Sequence, residues 1–66
     1  MQIVINGQAH DAPQGQTLRA LIESLALDAA LVAVELDGAI VRQPHWAACV
    51  LRPGARLEIV HFVGGG

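Results

Sequence analysis

Few residues in this chain of 66 could do chemistry. There is one cysteine, Cys49, with three histidines, His10, His45 and His61. A reactive thiol needs an electropositive, partly exposed setting. Cys49 stands instead in Ala47-Ala48-Cys49-Val50-Leu51 and reads as a small packed apolar residue. The histidines lack the spacing of metal ligands and have no cysteine or carboxylate cluster beside them in sequence, so no metal site is expected. Each reads as a surface or strand-edge residue, with His61 a minor candidate for the rim of a contact. Gly15, Gly38 and Gly54 stand singly in turns rather than in a phosphate-cradling loop, and no nucleophile–base pair stands out. What remains is Gly64-Gly65-Gly66. Residues without Cβ make the narrowest thread with the widest φ/ψ range, and three of them extended span about 10 Å. A carboxylate at Gly66, with an ordinary pKa of about 3.3–3.7, is anionic at neutral pH and a poor electrophile. Such a tail is either a frayed or remnant end or an acyl group that must be activated before anything can attack it.

The elements that would position this tail follow from periodicity. Ile3-Val4-Ile5 is a β-branched run closed by Asn6-Gly7, the strongest short hairpin signal. The returning strand, about Gln8 to Ala12, suits a sheet edge, and Pro13-Gln14-Gly15 turns the chain. Leu18, Leu21, Ile22 and Leu25 then stand at i, i+3, i+4 and i+7, one apolar stripe of a helix capped by Thr17 and running about three turns to Leu27-Asp28. Leu31 to Leu36 returns to period two, with Val32, Val34 and Leu36 on one face and Ala33 and Glu35 on the other. Asp37-Gly38 turns into Ile40-Val41-Arg42, a strand that Pro44 stops. His45 to Leu51 reads as a helical or 3₁₀ turn packing Trp46 inward, and Arg52-Pro53-Gly54-Ala55 turns again. The last strand, Arg56 to Val63, places Leu57, Ile59, His61 and Val63 on one face and Glu58, Val60 and Phe62 on the other. Apolar groups on both faces mark a central strand whose outer face is covered or used. One helix against a mixed sheet of about five strands is an α+β roll, with the first and last strands as neighbours. Residues 1–63 make a single domain and 64–66 a flexible glycine tail.

Composition narrows the function classes. The chain is 53% hydrophobic, as a domain this small needs to be. A net charge of −2 argues against nucleic acid as a partner. One cysteine excludes a disulfide framework. No apolar run approaches the roughly 20 residues of a membrane span, and the start of the chain lacks the pattern of a signal peptide, so a cytoplasmic location without membrane association is expected. The chain contains no lysine. This removes one amine route for self-capture of an activated end, although a compositional bias towards arginine is the main explanation and the absence adds little weight.

A compact β-β-α-β-β chain ending in bare glycines resembles the ubiquitin-like β-grasp family. Particular stretches are similar to the ThiS type, the bacterial sulfur carriers of thiamine biosynthesis. They are Met1-Gln2-Ile3 with Asn6-Gly7, Gln16-Thr17-Leu18, Val32-Ala33-Val34-Glu35-Leu36-Asp37-Gly38, Ile40-Val41 with Trp46, and Leu57 through Gly66. The resemblance implies a carrier and co-substrate rather than an enzyme. It implies that a ThiF-type, ubiquitin-activating-like adenylyltransferase adenylates the Gly66 carboxylate with ATP, which this chain does not itself bind. Sulfur derived from cysteine then gives a thiocarboxylate, which a ThiG-type thiazole synthase consumes. Gly64 and Gly65 would thread the tail into a water-poor site, because water would hydrolyse the adenylate. Val60 and Phe62, on the face opposite Leu57 and Ile59, are the expected partner-binding patch. The small subunit of molybdopterin synthase and amine-conjugated protein modifiers share the fold. The former tend to be longer, with a proline-containing run where this chain has Phe62-Val63, so the resemblance leans towards thiamine.

Overall fold

The computed structural model describes residues 1–63; the expected tail, 64–66, lies outside the described residues. The chain order is β1 (Gln2–Ile5), β2 (Gln8–Asp11), α1 (Leu18–Ser24), a 3₁₀ turn (Ala29–Leu31), β3 (Val32–Leu36), β4 (Ala39–Val41), a second 3₁₀ segment (Gln43–Ala48) and β5 (Arg56–His61). The strands form one mixed sheet in the order β2-β1-β5-β3-β4. β1 and β5 run parallel, while the other neighbouring pairs are antiparallel. The last strand is thus the central one and β2 an edge, as the sequence predicts.

Two tight turns build the hairpins. Asn6 and Gly7 have φ of 50° and 81°, and Asp37 and Gly38 have φ of 49° and 88°. Positive φ at both central positions gives the turn whose twist matches its flanking strands, and Asn, Asp and Gly are the residues that accept it. Both side chains also reach β5: Asp37 Oδ1 accepts from Arg56 N–H at 2.9 Å, and Asn6 bonds Ile59.

The helix begins where expected, with the Thr17 hydroxyl accepting from Ala20 N–H at 3.1 Å. It is shorter than the apolar stripe predicts. Leu25 closes it, and Ala26 flips to φ 56°. Ala26 N–H then donates to Glu23 O at 3.0 Å and Leu27 N–H to Ile22 O at 3.4 Å, the paired bonds of a Schellman stop. Leu25 and Leu27 are half-buried against the core after the helix has ended, so the stripe continues through the stop. Leu31, expected in β3, lies instead in the 3₁₀ turn that Asp28 caps. Smaller differences fall at strand ends: β2 stops at Asp11, β4 spans Ala39–Val41, and β5 stops at His61 rather than Val63.

Leu18, Leu21 and Ile22 of α1 pack with Ile3, Ile5, Val34, Leu57 and Ile59 of the sheet in one core. Burying each such aliphatic side chain stabilises by about 1.5–3 kcal/mol. Trp46 closes one end of this core, as expected, and its Nε1–H donates to Val41 O at 2.8 Å. That bond satisfies the buried indole's single polar group. Cys49 is half-buried against the same cluster.

Candidate functional site

The central strand carries the site. Along β5, Leu57 and Ile59 point into the core under α1, while Glu58 and Val60 point to the opposite, uncovered face. Phe62, just past the strand, keeps its backbone tied, its N–H donating to Leu31 O at 2.7 Å, while its side chain stays exposed. The strand register places Ala33 beside Val60, and Glu35 between Glu58 and Ile40. Ile40, Val60 and Phe62 are among the exposed large hydrophobic residues. The open sheet face therefore joins apolar side chains to the end of β5 that leads into Gly64. Glu35 and Glu58 stand directly opposite each other on that face, both exposed. Like charges in register weakly oppose pairing.

The expected patch residues, Val60 and Phe62, are thus on the outward face, next to one another and close in sequence to Gly64. Gly64, Gly65 and Gly66 lie outside the described residues. His61, read as a surface or strand-edge residue, is exposed, and so is Val63, although both alternate onto the inward face. The cause is the early helix stop, which leaves the end of β5 uncovered on that side too. His61 lines a shallow groove there with Ile5, Asn6, Leu25, Leu27 and Ile59. His10 is half-buried on edge strand β2 and His45 exposed in the second 3₁₀ segment. Among the described residues no group of three or more His, Cys, Asp or Glu side chains gathers as a metal site would require. No helix among them is long and apolar enough to cross a membrane. The sequence reading assigns Asn6 to its turn alone and misses its side-chain bonds to Ile59, 53 residues away.

Comparison with known proteins decides what such a domain is. The ThiS family model matches residues 3–66. The chain belongs to the ThiS family. The sulfur carrier protein ThiS of Escherichia coli is 32% identical over 66 residues, covering the whole of both chains. Two proteins named thiazole synthase, from Magnetococcus marinus and Paramagnetospirillum magneticum, are 41% and 39% identical over all 66 residues. The present chain spans only 20% of the length of each. The fold of this ThiS-family chain matches the crystal structure of the thiamine biosynthesis protein ThiS from Geobacter metallireducens. The TM-score is 0.85, with 26% identity and the whole of both chains covered. The solution structure of a thiamine biosynthesis protein from the same organism gives a TM-score of 0.81 at 28% identity, over all of this chain and 88% of the other. The β-grasp expectation is confirmed at the level of architecture.

Proposed function

We propose that this chain is the sulfur carrier of thiazole formation in thiamine biosynthesis, acting in the cytoplasm as a protein co-substrate. The observation that carries the reading is the end-to-end match with the E. coli sulfur carrier, in which the segment 64–66 is included. A carboxylate oxygen of Gly66 attacks the α-phosphorus of ATP held by an activating enzyme of the adenylyltransferase type. The α–β phosphoanhydride bond breaks and pyrophosphate leaves. A sulfide equivalent, supplied from cysteine, then attacks the carbonyl carbon of the acyl-adenylate. AMP leaves with the former carboxylate oxygen, and Gly66 ends as a thiocarboxylate. Thiazole synthase is the acceptor of that sulfur, a reading supported by the likeness of this chain to a fifth of two thiazole synthases.

The domain's own part is presentation. Gly64 and Gly65 thread the tail, and ordering each costs roughly 1–2 kcal/mol. Contacts made by Val60 and Phe62 on the activating enzyme offset that cost. The apolar patch lies where a partner holding the tail must also touch the domain, and exposed patches of this kind mark protein interfaces.

Incubation with ATP, the activating enzyme and sulfide, followed by intact-mass measurement, tests the reading. Exchange of one oxygen for sulfur on the chain is expected, and it depends on ATP. Formation of an isopeptide adduct with an amine instead would assign the chain to the protein modifiers.

A further inference from the structure

We infer that Asn6 is a positioning residue for the reactive end of the chain, its carboxamide replacing the ladder rung that β1 cannot supply after it turns away. The inference rests on the carrier reading above. Odd-numbered residues at and before β5 face β1: Val4 N–H donates to Ala55 O at 2.8 Å and Asn6 N–H to Leu57 O at 2.9 Å. The next rung would need main chain continuing past Asn6, but the chain reverses at Asn6-Gly7 and Gln8 returns on the far side of β1, opposite Ile5. At that point the Asn6 side chain takes over. Its Nδ2 donates to Ile59 O at 3.0 Å, and Ile59 N–H donates to its Oδ1 at 2.7 Å. A carboxamide offers the same donor and acceptor as a peptide group, so both main-chain groups of the buried Ile59 are satisfied.

Among the described residues, the β1–β5 register ends at Ile5↔Leu57, and the Asn6 clasp is the last hydrogen bond on that flank. Beyond it β5 is held on its β3 flank, through Val32↔His61 and the Phe62 bond to Leu31. The clasp therefore sits at the last point where β5 is tied on both sides, immediately before Val60, Phe62 and the tail. The contrast with Asp37 shows why the amide matters. Asp37 only has to accept, from Arg56 N–H. Asn6 must accept and donate, which an ionised carboxylate cannot do. Without the clasp, the end of β5 pivots on one flank, and the orientation a partner needs becomes a fraction of the population. Apparent affinity falls by that fraction.

Asn6→Gly removes the carboxamide while keeping a residue that accepts positive φ, so the turn survives. In ATP–pyrophosphate exchange with the activating enzyme, the KM for this variant should rise about tenfold with kcat unchanged. Amide exchange at Ile59 and Phe62 should accelerate. Asn6→Asp, which keeps the acceptor and lacks the donor, should fall between Asn6→Gly and the unaltered chain. Ile22→Val, a modest core loss on the helix, should lower thermal stability while leaving KM and the Phe62 amide unchanged. If Asn6→Gly also lowers only the melting temperature, Asn6 is a turn residue and the inference is overturned. If the unaltered chain supports no ATP–pyrophosphate exchange, the carrier reading fails. Amide exchange then still decides the clasp: faster at Ile59 and Phe62 in Asn6→Gly upholds it, and no change overturns it.

Discussion

Leu57 and Ile59 are 1% and 8% exposed, whereas Val60 and Phe62, on the other face of the same stretch, are 53% and 56% exposed. All four are large apolar residues in one central segment. The first pair is covered by α1 and holds the domain together; the second is left open beside the end that leads to the glycines. A small domain gains stability from every apolar group it buries. Leaving Val60, Phe62 and Ile40 outside the core is intelligible when another protein covers them during function. One face of the strand thus builds the core, and the other is left open.

The comparison makes separable predictions. Its largest consequence is that deleting Gly65-Gly66 abolishes charging by the activating enzyme and leaves the melting temperature unchanged, read by mass spectrometry and calorimetry on the same sample. On the covered face, Leu57→Ala should cost about 2–5 kcal/mol in denaturant unfolding, because it leaves a cavity under the helix. On the open face, Phe62→Asp should change unfolding free energy by no more than about 0.5 kcal/mol. The same change should weaken binding to the activating enzyme by at least about tenfold, equal to about 1.4 kcal/mol, in titration calorimetry. Unfolding by Phe62→Asp would erase the distinction between the faces. The smallest effect is expected away from both. Ala26→Gly should stabilise by about 0.5–1 kcal/mol with charging unchanged, since glycine relieves the positive φ of the helix stop at some entropic cost.

Much of this was legible in the sequence for local reasons. Asn6-Gly7 and Asp37-Gly38 specify their turns by residue type, Thr17 specifies its cap, and the alternation along β5 specifies which residues share a face. The helix end was not legible, because Ala26 is an ordinary helix former and its left-handed conformation is imposed by the paired bonds to Ile22 and Glu23 and by Leu27 packing behind them. That stop in turn exposes His61 and Val63, which alternation alone assigns to the covered side. The Asn6 clasp was hidden for a different reason: its partner is remote in sequence, and an Asn before Gly is already accounted for by the turn. As for the candidate site, the facing of Val60 and Phe62 follows from periodicity. The chemistry of the tail follows from resemblance alone.

The most direct test locates the sulfur after charging with ATP, the activating enzyme and labelled sulfide. Cleavage after Arg56 releases residues 57–66 and separates them from the peptide that holds Cys49. The account predicts label in the 57–66 peptide, with fragmentation assigning it to the carboxyl group of Gly66. Label on Cys49, or label that appears without ATP, would contradict it.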